Sequence, residues 1–231
     1  MFEPFAKDIW IAEGSVVAVA GFEFGTRMAI IRLPTNGLFV WSPIRLTPEL
    51  KSEVDALGPV KFIVAPNAAH HLFMGEWAEA YPEARLFGTP GLLKKRSEIG
   101  WHGVLTDLAE PGWSADIDQV VVPNDLLEAE TVFFHRASGT VIFTDLIQHF
   151  DRTWFKGWRA IVARLDLMAA PEAEVPRKFR FSFRNRKARA AIKTILQWPI
   201  ERVLMAHGEQ IARNGHAFVV RRFRWLKVWL W

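Results

Sequence analysis

Four side chains stand where an apolar run ends and a loop begins, the place where rigid scaffolds usually present functional groups. His70 and His71 lie just past Val60–Ala65, in a loop that leads into a helix. Asp145 terminates the run Thr140–Thr144, and His207 follows Val203–Ala206 and precedes Gly208. Each has an ordinary alternative. A strand-end His often hydrogen-bonds or caps, and an Asp after a strand is usually a turn-former. Neighbouring histidines point apart on a regular strand, so His70 and His71 can share a ligand role only on irregular backbone. The chain has no cysteine, which excludes disulfides, thiolate ligands and a cysteine nucleophile. Any metal must be held by His, Asp, Glu, Asn or backbone oxygen, and residence in the cytoplasm is the expectation that fits.

The elements that must position these residues are legible in outline. Ile9–Ile11, Ser15–Phe22, Met28–Leu33 and Leu38–Trp41 read as an antiparallel meander broken by Gly14, Gly25 and Pro34–Gly37. Thr47 caps a short helix that opens with Pro48 and runs to Ala56. Val60–Ala65 is a wholly apolar run of the kind buried inside a sheet. Met74–Ala80 and a segment after Thr89-Pro90 read as helices, with a short strand at Ala84–Gly88 between them. Asp118–Val122, Glu130–His135 and Thr140–Leu146 are strands again, the last two joined by a tight turn at Arg136–Gly139. Ala169–Pro176 is the one plausible linker, too short to argue for a second domain. Lys187–Gln197 has helical spacing, Arg202–Ala206 is a short strand, and Ala212–Trp231 can form a closing amphipathic helix. Strands, strand–helix units, strands and then helices indicate two sheets flanked by helices, an α+β fold.

With 231 residues, half of them apolar, the chain can bury the core of one domain spanning 1–231. No apolar run is long enough to span a bilayer, and Glu3, Lys7 and Asp8 near the start argue against a signal peptide. The net charge is +4, yet residues 177–231 hold fourteen Lys or Arg against Glu201 and Glu209, leaving the remainder at −8. That asymmetry suits contact with a membrane surface, nucleic acid or an acidic substrate, or with the acidic half of the same fold.

Three phrases, Phe62-Ile-Val-Ala-Pro-Asn-Ala-Ala-His-His, Thr140-Val-Ile-Phe-Thr-Asp-Leu and Val203-Leu-Met-Ala-His-Gly, resemble in order and spacing the metal motifs of metallo-β-lactamase-like hydrolases. The resemblance covers almost the whole chain. Glu76-Trp-Ala-Glu-Ala-Tyr-Pro, Phe133-Phe-His-Arg-Ala-Ser and Thr144-Asp-Leu look like one branch of that superfamily, the DUF4336 family. The resemblance implies a four-layer αββα sandwich more firmly than any activity.

This sequence departs from the superfamily pattern H-x-H-x-D-H. If His71 stands for its last His, then His70 falls on its Asp, Ala68 on its second His and Pro66 on its first. The superfamily's middle His falls near Leu127, where no histidine stands. One metal position therefore loses all its ligands, and the usual two-metal clamp cannot be built. The other keeps His70, His71, Asp145 and His207, which the resemblance assigns to a single divalent ion: Zn²⁺ first, with Fe²⁺ or Mn²⁺ as alternatives. The expected activity is hydrolysis of an unidentified small molecule by water that the metal's charge activates. Asn67, Glu76, Glu130, His135 and His149 are candidates for supporting roles around the ligands.

The rival to an enzyme is a catalytically silent relative that binds a partner through its basic C-terminal quarter. Arg177–Lys187 and Arg221–Trp231 interleave basic and aromatic residues, as base-stacking and lipid-interface surfaces do. A closing helix with buried aromatics has the same pattern. His135 and Ser138 flank a turn without a G-x-S-x-G elbow, so Ser138 is not read as a nucleophile. There is no P-loop and no dinucleotide fingerprint.

Overall fold

The computed structural model describes residues 2–124, 129–183 and 186–227. Two sheets stack face to face. The first runs in chain order through β1 (Glu3–Ala6), β2 (Ile9–Val19), β3 (Phe22–Arg32), β4 (Leu38–Trp41), β5 (Val60–Ala65), β6 (Arg85–Gly88) and β7 (Gly103–Val104). β1 to β4 form an antiparallel meander, and β4 to β7 pair in parallel. The second sheet has the order β11 (Arg202–Met205), β10 (Thr140–Phe143), β9 (Glu130–His135) and β8 (Ile117–Val122). β10 and β11 are parallel neighbours, so Asp145 and His207 leave the same edge of the sheet.

Three apolar layers hold this together. Between the sheets, Ile31, Phe39, Trp41 and Val64 pack with Phe133, Ile142 and Leu204. Outside the first sheet, Ile63 and Ala65 face α1 (Pro48–Leu57), α2 (Met74–Ala80) and α3 (Pro90–Lys95), through Val54, Trp77 and Leu92. Outside the second, Val141, Phe143 and Val203 meet α6 (Arg186–Ile195) and α7 (Gly215–Phe223). The result is a four-layer αββα sandwich. β5 is covered on both faces, which explains its unbroken apolar run.

Several local expectations change. Gly14 and Gly25 do not interrupt the meander. β2 and β3 each run for eleven residues, with an irregularity between Glu13 and Val16. Their turn is Ala20-Gly21, with φ of 50° and 80°, the left-handed pair that a tight hairpin requires. Ala169–Pro176 is no linker: Glu174 bridges to Gln148, and Ala173 and Val175 are buried in the second sheet's outer core. The closing helix is shorter than expected, ending at Phe223 with one 3₁₀ turn to Leu226. Two further helices, α4 (Trp158–Leu165) and α5 (Arg177–Ser182), had no counterpart in the sequence reading.

Candidate metal centre

Three loops bring the site together. After β5, Asn67 Oδ1 accepts the N–H groups of Ala69 and His70 at 2.9 and 3.0 Å, a local turn that orders the His70 loop. The same side chain donates through Nδ2 to Asp145 Oδ2 at 2.8 Å. After β10, the N–H groups of Thr144, Asp145 and Leu146 donate to the Glu130 carboxyl group at 2.7, 2.7 and 3.0 Å. Glu130 is thus a buried brace for the backbone that carries Asp145. Its burial, with the Asp145 charge beside it, pushes its pKa up to about 8 against the pull of those three donors. After β11, His207 is followed by Gly208, whose φ is 113°. A side chain at Gly208 would sit 2.5 Å from the His149 carbonyl oxygen, so glycine is needed for the close approach.

His70, Asp145 and His207 converge, with one ligand atom from each within 4.8 Å of the others. His70 Nε2 is 3.5 Å from Asp145 Oδ2, and His207 Nε2 is 3.3 Å from Asp145 Oδ1. Gln148 Nε2 donates to Asp145 Oδ1 at 2.9 Å. Burial opposes the charge on Asp145, yet the His70 and His207 imidazoles hold its carboxyl well below the usual carboxylate range. Burial also pushes the His207 pKa down, against the favourable pull of Asp145.

The hydrogen-bond directions fit a cation. The Ser42 hydroxyl donates to the Arg27 carbonyl at 3.1 Å and lies 2.8 Å from His70 Nδ1, placed to accept from it. With the proton on Nδ1, Nε2 is free to ligate a cation held beside the Asp145 carboxylate, the arrangement in which metal-ligating histidines are usually prepared. His207 Nδ1 is buried without a hydrogen-bond partner among the described residues.

His71, expected as a fourth ligand, is not part of this cluster. It is buried, and its Nδ1 accepts from Arg96 Nη1 at 2.8 Å. Burial first, then the nearby Lys95 and Arg96 charges, lower its pKa to about 4. The two adjacent imidazoles diverge within the turn that leads from β5 into α2, His70 toward Asp145 and His71 toward Arg96.

The supporting candidates separate in the same way. Asn67 touches Asp145, and Glu130 holds its backbone. His149 donates its N–H to the His207 carbonyl at 3.1 Å. Glu76 instead accepts from the Leu46 N–H at 2.7 Å, holding the loop after β4. His135 lies at the far end of β9, between Ser138 Oγ at 2.8 Å and Asp116 Oδ2 at 3.0 Å. Ser138 in turn donates to Thr140 Oγ1 at 2.7 Å, so this buried trio ties the β9–β10 turn and leaves no serine proton directed at His135. Leu127 lies outside the described residues.

Ser42, Gln148 and Arg27 were absent from the sequence reading. Arg27 donates to the Met205 and Gly208 carbonyls at 2.6 and 2.7 Å, bridging the first sheet to the His207 loop. No local motif marks Ser42 or Arg27. Gln148, three residues beyond Asp145, could have been found from that spacing.

The centre opens into a cavity of about 390 Å³. Asn67, His70, Asp145, Gln148 and His207 supply polar surface, while Val17, Val19, Phe24, Leu72, Phe73 and Leu146 make apolar wall. Of the aromatics in the basic C-terminal quarter, Phe179, Phe183 and Phe223 are buried and Trp225 packs against the same cluster, while Phe181 is exposed. Part of its charge is neutralised internally, by Arg180 on Glu174 and by Arg222 on Glu172 and Glu174. Trp229 and Trp231 lie outside the described residues.

Solved structures share this architecture throughout. A metallo-β-lactamase from Pontibacter korlensis is 14% identical with a TM-score of 0.64, covering 97% of this chain and 98% of that one. FIM-1 from Pseudomonas aeruginosa, in a mono-zinc form, is 11% identical with a TM-score of 0.62, covering 98% and 95%. The metal-soaked Flv1 flavodiiron core from Synechocystis sp. PCC6803 is 12% identical with a TM-score of 0.62, covering 98% of this chain but 60% of that one. At these identities the likeness is one of fold, and the protein has the metallo-β-lactamase fold. Residues 7–154, more than half of the chain, match the family model described as "Domain of unknown function (DUF4336)". The chain belongs to that family. Among curated proteins none matches it.

Proposed function

We propose that this chain is a metal-dependent hydrolase-like protein that binds one divalent ion through His70, Asp145 and His207, with His71 outside the ligand set. The observation that carries the reading is the convergence of these three groups within 4.8 Å, with Ser42 placed to accept from His70 Nδ1 and so leave Nε2 for the ion. Two imidazoles and a carboxylate suit Zn²⁺, Fe²⁺ or Mn²⁺, and a solved relative of this fold is a mono-zinc form. When bound, the ion supplies positive charge that polarises an electrophile and acidifies water. The chain's own residues do the positioning. Asn67 and Gln148 each engage one oxygen of Asp145, Glu130 fixes its backbone, and the apolar wall screens a small-molecule substrate from bulk water.

Elemental analysis of protein purified without affinity-tag metal tests this. About one equivalent of Zn²⁺, Mn²⁺ or Fe²⁺ is expected in the native chain, retained in His71→Ala and lost in His70→Ala and His207→Ala. A native chain that stays empty after incubation with all three ions defeats the reading. Loss of the ion from His71→Ala, with its fold intact by circular dichroism, restores His71 to the ligand set. With the ion in place, esters, lactones and phosphodiesters are the substrates to screen first.

A further inference from the structure

Helix α4 is amphipathic the wrong way round for a core helix. Its inner face is small: Ala160 and Ala163 pack on Phe150, Phe155, Phe22 and Phe24. Its large apolar residues point outward. Trp158, Ile161 and Leu165 are 57%, 60% and 61% exposed, and Val162 is 41% exposed. They sit at i, i+3, i+4 and i+7, one continuous stripe, where soluble surfaces seldom gather large apolar side chains. The stripe continues onto the β2–β3 hairpin. Phe22 meets Trp158 edge-on at 5.6 Å, the Arg159 guanidinium donates to the Gly21 carbonyl, and Trp154 Nε1 donates to the Glu23 carbonyl at 2.8 Å. At the hairpin's end Val16 and Val19 are again exposed.

Along the segment that carries this stripe the charge has one sign. From Arg152 to Leu165 the chain carries Arg152, Lys156, Arg159 and Arg164 and no acid. Acids flank the segment: Asp151 bonds Thr153, Asp166 is engaged by Lys178, and Glu23 is exposed on β3. Exposed Trp and branched aliphatics ringed by Arg and Lys are the composition of a helix that lies in a bilayer interface, with its apolar face among acyl chains and its cations among anionic headgroups.

We propose that α4 and the tip of the β2–β3 hairpin form a docking face for an anionic lipid surface. A second copy of the chain fits poorly, because a symmetric contact would set these cations against their own kind. Single-stranded nucleic acid fits poorly too, because most of the stripe (Ile161, Val162 and Leu165) is aliphatic and the Arg159 guanidinium already lies over the Trp158 ring at 4.8 Å. The face adjoins the mouth of the metal-site cavity, since Val19 and Phe24 of the hairpin line that cavity. Docking would therefore present the cavity to the interface, whatever the cavity binds.

Sedimentation with vesicles tests the face, using phosphatidylcholine alone and phosphatidylcholine mixed with phosphatidylserine in equal parts. The native chain is expected to pellet with the mixed vesicles at low salt and far less with the neutral ones. Ile161→Glu with Leu165→Glu should weaken this by tenfold or more, roughly, by placing acids in the stripe. Lys156→Ala with Arg164→Ala should weaken it by roughly fivefold per cation. Arg221→Ala with Arg224→Ala, on exposed positions of the C-terminal segment, should leave it unchanged. The substituted positions are exposed, and circular dichroism melts confirm that each variant is folded. Three results overturn the proposal: no pelleting by the native chain, equal pelleting by the Glu variant, or loss confined to the Arg221/Arg224 variant. Retention on an oligonucleotide without vesicle binding, or a concentration-dependent dimer abolished by the Glu pair, replaces lipid with that partner.

Discussion

Asp145 is held by a different side chain on each oxygen, Asn67 on Oδ2 and Gln148 on Oδ1. Removing either partner leaves the carboxylate free to turn, so Asn67→Ala or Gln148→Ala should lower metal affinity by roughly 10–100-fold, measured by calorimetric titration of metal-free protein. His71 predicts the opposite pattern. His71→Ala should leave metal stoichiometry intact and cost about 1–3 kcal/mol of stability, because Arg96 loses a buried acceptor; urea unfolding checks it. The pH dependence follows from the same burial. His71 falls from 6.5 to about 4 in the fold, and His135 is also lowered, chiefly by burial. The unfolded chain therefore takes up protons first as pH falls. The His71 contribution, read as the stability difference between the native chain and His71→Ala in the metal-free protein, should be fully present above pH 6.5 and decline toward pH 4, while the raised Glu130 carboxyl works in the opposite direction as pH climbs toward 8. The three strand-end groups of the centre were legible as isolated residues. Their separation from His71 was not, because adjacent residues in a loop carry no marker of where each ring turns.

At the scale of elements, periodicity marks a helix or strand but not the side to which its apolar face turns. The spacing of Ala188, Ala191, Ile192 and Ile195 marked α6, and all four are buried against the second sheet. The unbroken apolar run of β5 marked a strand covered on both sides. Gly14 and Gly25 looked like breaks but lie within strands, because what stops β2 is the pair of positive φ angles at Ala20-Gly21, which an Ala does not advertise. α4 carries helical spacing at Trp158, Ile161, Val162 and Leu165, but spacing does not tell that this stripe faces solvent. The loop after β11 depends on one such backbone angle. Gly208→Ala would force a side chain onto the His149 carbonyl at a φ of 113°. It should cost about 1–3 kcal/mol and, by shifting His207, weaken metal binding; thermal melts with and without metal separate the two effects.

Across the whole molecule, the centre joins the two sheets. His70 leaves β5 of the first, and Asp145 and His207 leave β10 and β11 of the second. Arg27 makes the same connection through the Met205 and Gly208 carbonyls. An ion bound only by the closed sandwich should therefore stabilise the entire fold, by about 2.7 kcal/mol at a free concentration roughly 100 times its Kd. The rise should vanish in His207→Ala, as differential scanning fluorimetry will show. By itself, the sequence determined much of the alternation of strands and helices, the absence of cysteine chemistry and the strand ends where polar groups emerge. Those properties live in local spacing and residue type. Only the tertiary structure decided which of these groups meet, that Ser42 and Gln148 join them, that Phe179, Phe183 and Phe223 are spent on the core, and that α4 turns its apolar stripe to solvent. Those outcomes depend on contacts between residues far apart in the chain, His70 to Asp145 and Arg27 to Gly208 among them, and register between sheets is set by packing that no short segment encodes.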